Sequence, residues 1–313
     1  MCIRDSIVGV DSLFMRRQVY FAVVLSESTA GGLLINSLYV VPTFVSAIFS
    51  IAICRVKYNK GLLKPQHISI AFLAITTCLI ISNPIRNPRY WFGAVVLTLL
   101  TLLFFKSVRK IWFGHLVVLA LIFIFPYMDY FRRGASGVLV NSGNLTEHFR
   151  DEYLTHGDFD SFQQILNSIL VVSENGFLWL KNILGAAFFM VPRGLWTGKP
   201  EPTGAIIAES LSYDFSILSA PLPAEAYMGL GWVGLIILPA AYIGVIMLLS
   251  KKLLQLPYSF NTFTLFATFM TWYQLMLLRG SLMSGIAYCT QVLFFMWLFM
   301  FILTIKKRLT RFV

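Results

Sequence analysis

The chain has 313 residues, of which 58% are hydrophobic and 12% are charged. An ordinary soluble domain has about twice that share of charged residues, so a soluble protein is nearly excluded. The apolar residues come in separate blocks of roughly 20 residues, each long enough to cross about 30 Å of hydrocarbon. We therefore expect an all-α polytopic membrane protein, in which the net charge of +11 has to be read by location.

Seven apolar segments are predicted to span the membrane. In chain order they are residues 33–54, 66–82, 91–105, 111–127, 232–250, 258–278 and 285–305. The third is short, but Tyr90 and Trp91 at one end and Lys106 at the other are interface anchors that let a short helix reach both surfaces. Four spans thus fall within residues 33–130 and three within 229–313, after an outer segment at residues 1–32.

Basic residues mark alternate loops. Thirteen of them occupy one set, without any acidic residue: Arg55, Lys57, Lys60, Lys64, Lys106, Arg109, Lys110, Lys251, Lys252, Lys306, Lys307, Arg308 and Arg311. The short loops of the other set hold only Arg86, Arg89 and Arg279. Since cytoplasmic loops carry the excess of lysine and arginine, we expect the first set and the C-terminus to be cytoplasmic. This bias explains the basic composition without a nucleic-acid partner.

The acidic residues point to a different part of the chain. All fourteen lie before residue 28 or between residues 129 and 225, and residues 131–228 form a predicted outer loop too long for a plain connector. Within this loop, the apolar positions from Phe159 to Leu170 repeat at helical spacing, and Ser161 with Gln164 has the spacing of a capping box. The apolar stretch 177–191, interrupted by Lys181, predicts an interfacial or re-entrant helix rather than a span. We expect function to reside in this loop.

The residues that commonly bind metals are scattered. The four cysteines show no C-x-x-C spacing, so neither a disulfide framework nor a zinc site is expected. Asp158 and Asp160 spell D-x-D, but two acidic residues in the first turn of a helix are more typical of dipole complements. The four histidines, His67, His115, His148 and His156, share no ligand spacing. We therefore expect no metal and no cofactor.

A rigid cationic segment occupies residues 191–200, Val-Pro-Arg-Gly-Leu-Trp-Thr-Gly-Lys-Pro. Arg193 and Lys199 lie on either side of Trp196, and the prolines at both ends of the segment restrict its backbone. Arginine can bind phosphate oxygens bidentately and lysine adds a point charge, which suits a diphosphate. The alternative is that both cations lie near lipid headgroups, with Trp196 anchoring the loop.

The segment 219–234, Ser-Ala-Pro-Leu-Pro-Ala-Glu-Ala-Tyr-Met-Gly-Leu-Gly-Trp-Val-Gly, contains the last acidic residue, Glu225, with Tyr227 beside it. A carboxylate in partly apolar surroundings just outside the fifth span is suited to accept a proton from a sugar hydroxyl. Equally, Glu225 could cap the next helix, whose N-terminal dipole favours a negative charge.

Three further arginines have open roles. Arg279 stands alone between two apolar spans, and an arginine at the bilayer centre costs about 2.5–3.5 kcal/mol on insertion scales. It is therefore expected at the outer interface or facing a substrate. Arg132 and Arg133, at the exit of the fourth span, are either headgroup contacts or part of the same anionic site.

At these motifs the sequence resembles the O-antigen/oligosaccharide repeat-unit polymerases, the Wzy-type family of bacterial surface-polysaccharide assembly. The resemblance runs from about Leu33 to the C-terminus and is most specific at Pro-Arg-Gly-Leu-Trp-Thr-Gly-Lys-Pro, Pro-Ala-Glu-Ala-Tyr-Met-Gly-Leu-Gly-Trp-Val-Gly and Leu-Arg-Gly-Ser. It implies a GT-C-related glycosyltransferase of the bacterial inner membrane, in which a periplasmic loop meets a helical bundle. Because the family has more spans than seven, we expect this chain to be truncated at its N-terminus.

The resemblance also implies roles for the residues singled out above. Arg193, Lys199 and Arg279 would surround an undecaprenyl-diphosphate-linked oligosaccharide, with Arg132 and Arg133 as further substrate contacts. Glu225 is the candidate base for the acceptor hydroxyl, and Tyr227 and Trp196 would shape the sugar pocket. Besides the lipid bilayer, a chain-length regulator and a flippase are the implied partners.

Two other activities fit the same features. An O-antigen ligase would use the same lipid diphosphate donor but transfer polysaccharide to the lipid A core. A transporter or flippase would bind the lipid-linked sugar without cleaving it, and predicts charged residues lining a path within the spans, where this sequence has almost none.

Overall fold

The computed structural model describes residues 29–108, 111–134, 161–213, 218–255 and 260–309, and in these ranges the regular structure is helical without strands. The helices are α1 (Thr29–Asn59), α2 (Pro65–Ile81), α3 (Arg89–Val108), α4 (Ile111–Gly134), α5 (Ser161–Asn175), α6 (Lys181–Ala187), α7 (Thr203–Ser210), α8 (Leu222–Leu253), α9 (Thr262–Arg279) and α10 (Leu282–Leu309). Every predicted span overlaps one of these helices, which confirms the all-α class.

Three helices contain stretches that are long and apolar enough to cross a membrane. These stretches are Leu38–Asn59, Leu222–Leu253 and Leu282–Thr304. They support a membrane-embedded protein, while the total of seven spans and their orientation stay predictions. The apolar stretch 177–191 forms only the seven-residue helix α6. At roughly 1.5 Å per residue this helix is too short to cross the bilayer, so the prediction that the stretch does not span is confirmed for the helix it forms.

The chain divides into two units, and the first comprises Met1–Ser136, Lys252–Trp272 and Thr290–Val313. Its core includes an aromatic cluster in which the rings of Phe44, Trp91 and Phe269 have centroids 5.3–5.9 Å apart. All three side chains are fully buried. The indole N–H of Trp272 donates to the Thr101 hydroxyl at 2.7 Å. This bond joins polar side chains of α3 and α9 inside the unit, which suits helices in a membrane environment.

The second unit comprises Gly137–Lys251 and Tyr273–Cys289. Its core joins α5, α7 and the start of α8 through a cluster of buried apolar side chains. The cluster contains Val171, Val172, Ile207, Ala208, Leu218, Tyr227 and Met228, and Phe177 and Leu235 pack against it. This unit contains the three motifs on which the resemblance depends.

Helix α8 is broken at Gly231, whose backbone angles are φ 62° and ψ −142°. The predicted fifth span begins directly after this break, although the helix itself begins ten residues earlier, at Leu222. The break frees carbonyl groups at the end of residues 222–230, and two of them accept hydrogen bonds from a neighbouring loop. Leu178 N donates to Met228 O at 2.8 Å, and Leu180 N donates to Gly229 O at 3.2 Å.

Replacing Gly231 with alanine is expected to destabilise the protein by roughly 1–3 kcal/mol. The positive φ disfavours any side chain, and a Cβ would lie 3.0 Å from the ring of Phe177. Thermal unfolding of the purified protein in detergent measures the effect. Gly244→Ala in the same helix is the control, because a Cβ there meets no atom within 4 Å. Equal melting temperatures for the two variants would contradict a required left-handed residue at 231.

Candidate functional site

The centre of the second unit is the carboxylate of Glu225, which is only 1% exposed. Its Oε2 accepts hydrogen bonds from the Thr203 hydroxyl at 2.5 Å and from Asn182 Nδ2 at 2.9 Å. Its Oε1 accepts the backbone N–H of Leu282 at 2.9 Å. Asn182 Nδ2 also lies 2.9 Å from the carbonyl oxygen of Glu225, to which it donates. One side chain thereby connects the beginnings of α6, α7, α8 and α10.

This arrangement differs from the capping role that the sequence left open for Glu225. The carboxylate lies in the first turn of α8, yet the N–H group it accepts is the first of α10, 57 residues further on. The first N–H groups of a helix have no partner inside the helix and favour a nearby negative charge. Glu225 therefore caps a distant helix rather than its own. Its possible action as a base is a separate question that the contacts do not test.

The cationic segment is folded upon itself by its own lysine. Lys199 Nζ donates to the carbonyl oxygens of Phe189 and Val191 at 2.6 and 2.8 Å. Arg193 donates through Nη1 to the carbonyl oxygen of Lys199 at 3.1 Å, and its Nη2 lies 2.8 Å from Glu201 Oε1. Arg193 thus contacts the backbone of Lys199, while the binding of a diphosphate by these two cations stays a prediction.

The two cations differ in their exposure. The Arg193 and Glu201 side chains are 51% and 52% exposed, and ion pairs of that kind contribute only about 0–1 kcal/mol to stability. Desolvation is the main cause that lowers the pKa of Lys199, and the positive charge of Arg193 lowers it further. The negative charge of Glu201 raises this pKa but does not outweigh the other two causes. Arg193 is consequently the cation of the segment that can exchange its partner for a ligand at small energetic cost.

Residues 279–282, which connect α9 to α10 and are called the Arg279 turn, approach the cationic segment at helix α6. A Cβ added to Gly185 would lie 2.6 Å from Pro200 Cγ and 3.0 Å from Met283 Cε. Pro200 follows Lys199 directly, and Met283 lies in the first turn of α10, just after Arg279. Glycine at 185 is what permits this close approach, because any side chain would overlap with both neighbours.

The two aromatic residues expected to shape a sugar pocket have different environments. Tyr227 is 9% exposed and packs edge-on against Phe177 and Trp232, with ring centroids 6.0 and 5.5 Å apart. Phe177 in turn contacts Trp179 at 5.6 Å. Tyr227 is therefore mainly a core residue, whereas Trp196 is partly exposed on the cationic segment.

Helix α5 buries three polar side chains together with Val171 and Val172, and exposes four large apolar side chains. Gln164, Asn167 and Ser168 are at most 3% exposed, and Asn167 Nδ2 donates to the Tyr213 hydroxyl at 3.0 Å. The outward apolar positions are Phe162, Leu166, Ile169 and Leu170, with exposures of 37–73%. Trp179 and Trp232 are likewise 70% and 71% exposed. Exposed apolar stripes with flanking tryptophans are typical of a membrane interface.

Sequence reasoning missed four polar residues that are buried. Asn182 and Thr203 hold Glu225, although nothing but their proximity to the motifs indicated them. Arg86 and Arg89, read only as loop charges, are 4% and 7% exposed in the first unit. The Arg86 guanidinium lies 4.9 Å from the ring centroid of Tyr39, a cation–π distance.

Several predicted residues lie outside the described part of the structure. These are Asp158, Asp160, His148 and His156, and the side chains of Arg132 and Arg133 at the end of α4. Comparison with models of known protein families, with curated proteins and with solved structures finds no match. The resemblance therefore depends on the motifs themselves and on where they lie in the fold.

Glu225→Ala is expected to lower the melting temperature strongly, with a loss on the order of 2–4 kcal/mol. It leaves the Thr203 hydroxyl and the Leu282 N–H without an acceptor, while Asn182 keeps its bond to the backbone carbonyl of residue 225. Each unsatisfied buried donor costs roughly 1–3 kcal/mol. Glu201→Ala, which removes a carboxylate of a half-exposed ion pair, is the matched control and should cost less than about 1 kcal/mol. Similar losses in both variants would show that the Glu225 network does not hold the unit together.

Proposed function

We propose that this protein is a membrane glycosyltransferase that polymerises lipid-diphosphate-linked oligosaccharide repeat units at the periplasmic face of the bacterial inner membrane. The observation that carries the proposal is the convergence of three motifs on helix α6. Asn182 of α6 binds Glu225, while Gly185 contacts Pro200 of the cationic segment and Met283 beside the Arg279 turn. The motifs are separated by up to about ninety residues in the chain, so their meeting is a property of the fold.

The chemistry proposed for the site is binding and charge stabilisation. Arg193 and Arg279 can each offer two parallel N–H donors to phosphate oxygens, and the Lys199 ammonium adds positive charge. As the sugar–phosphate bond breaks, negative charge builds on the departing diphosphate. Cations already held in place stabilise that charge without reorganising, which is how an electrostatic site accelerates a reaction.

Glu225 has a positioning role in this proposal. Its bond to Leu282 N fixes the turn that carries Arg279, and its bond to Asn182 fixes that turn relative to α6. The base role implied by the resemblance stays a prediction, because Glu225 is 1% exposed and its two oxygens already accept three hydrogen bonds.

The exposed apolar stripe of α5 and the tryptophans at 179 and 232 support a substrate that is attached to a lipid. Val171 and Val172 of α5 belong to the same core cluster as Tyr227. Leu235, in the part of α8 that is long enough to span the membrane, packs against this cluster. A polyprenyl chain in the bilayer could thus present its diphosphate to a site that begins at the membrane surface.

Arg193→Ala and Arg279→Ala are each expected to abolish long-chain polysaccharide in a strain that carries the full-length protein. Each removes a bidentate phosphate donor while membrane insertion remains intact. The measurement is the length profile of the surface polysaccharide, together with immunoblotting of the membrane fraction. Lys251→Ala removes an exposed cation at the far end of α8 and should leave the profile normal.

The same length profile, measured in a deletion strain, distinguishes the proposed polymerase from a ligase and from a flippase. Loss of a polymerase leaves a single repeat unit on the lipid A core, whereas loss of a ligase or a flippase leaves none. Normal chain length in both arginine variants would remove these residues from the mechanism, and bare core in the deletion strain would remove the polymerase proposal.

Glu225→Gln distinguishes a positioning residue from a base. Glutamine keeps an oxygen that can accept the Leu282 N–H, so a positioning role predicts reduced but measurable polymer. A base role predicts no polymer at a normal level of protein in the membrane. The Thr203→Val variant, which removes only one donor to the carboxylate, should resemble Glu225→Gln if positioning is what matters.

A further inference from the structure

A groove of about 400 Å³ opens in the first unit, between helices α1, α2 and α3. Its walls are mostly apolar and include Ile51, Ile68, Phe72 and Leu103, with Ala71 at its base. Polar groups enter it from Arg55 and Tyr58, which lie in the last two turns of α1. The groove therefore combines an apolar channel with a cation at the end of a membrane-length helix.

The Arg55 guanidinium is only partly engaged by the protein. It donates to the carbonyl oxygen of Leu103, and it lies 5.5 Å from the ring centroid of Phe105. A guanidinium has five N–H donors, and one such bond leaves most of them for another acceptor. Neither of these partners carries a negative charge.

The surrounding sequence offers Arg55 no carboxylate. No acidic residue occurs between Glu27 and Asp129, and none follows Glu225. The chain continues from Arg55 through Lys57, Lys60 and Lys64, which add positive charge nearby but do not line the groove. The three helices that line the groove, α1, α2 and α3, therefore contain no negatively charged partner for Arg55.

The outer surface of the groove is suited to hydrocarbon. Beside it on α2, Ile68, Phe72 and Leu73 expose 55–71% of their surface. Side chains of this kind on a membrane helix face acyl chains, while basic pockets between such helices bind anionic lipid headgroups. A free anion would not use the apolar walls, and a neutral lipid would not use Arg55.

We propose that this groove is a binding site for an anionic phospholipid, with an acyl chain along Ile68 and Phe72 and the phosphate at Arg55. The site lies in the first unit and is independent of the diphosphate chemistry proposed for the second. It would tie α1, α2 and α3 together at the end of the bundle where the cations lie.

The test is native mass spectrometry of the full chain in detergent, with phosphatidylglycerol or phosphatidylcholine added at equal concentrations. We expect tighter retention of phosphatidylglycerol by the native protein. Arg55→Gln should weaken phosphatidylglycerol binding about fivefold, the effect of one cation at a headgroup. Lys60→Gln makes the same charge change on an exposed residue outside the groove, and should weaken it less than twofold.

A second variant, Ala71→Phe, keeps every charge and fills the groove. It should reduce retention of both lipids, and circular dichroism checks that the helix content is native. Equal retention of the two lipids by the native protein would overturn the proposal. So would equal losses in Arg55→Gln and Lys60→Gln, which indicate diffuse electrostatic attraction, or unchanged binding in Ala71→Phe.

Discussion

The hydrogen-bonded carboxylate of Glu225 is the interaction on which the second unit depends. A carboxyl group that is 1% exposed is stable only if hydrogen-bond donors offset the loss of its hydration. The fold supplies these donors from three separate helices. Because Thr203, Asn182 and Leu282 N all converge on one group, α6, α7 and α10 are fixed relative to the start of α8. The cationic segment and the Arg279 turn are positioned by this network, because both pack against α6 beside Gly185.

The break at Gly231 makes that arrangement compatible with a membrane helix. A continuous α8 of 32 residues would be roughly 48 Å long, well beyond the thickness of the hydrocarbon. The break separates a short arm, which carries Glu225 into the polar network, from an apolar arm of membrane length. The freed carbonyl groups of Met228 and Gly229 are satisfied by the loop that carries Trp179, so the break leaves those two acceptors paired.

Charge is distributed so that each unit has its own electrostatic character. Helices α1, α2 and α3 of the first unit contain no acidic residue, and the cation Arg55 lines the groove between them. The second unit mixes the two signs, with the Arg193–Glu201 pair at its surface and Glu225 inside. The two sites proposed for anionic ligands therefore differ chemically, since one is lined by apolar helix surface and the other is built on a polar loop.

The sequence by itself determined the helical class and the approximate position of each apolar helix, because these depend on hydropathy and periodicity along the chain. It also indicated that residues 177–191 do not span. Only the tertiary structure decided that Glu225 caps α10 instead of its own helix, that Tyr227 is a core residue, and that Asn182 and Thr203 belong to the same network. It also decided that α5 exposes Phe162, Leu166, Ile169 and Leu170 while it buries Val171 and Val172, which a helical repeat alone leaves open. These features depend on contacts between residues 20 to 60 positions apart, and hydropathy and motif spacing carry no information about such contacts.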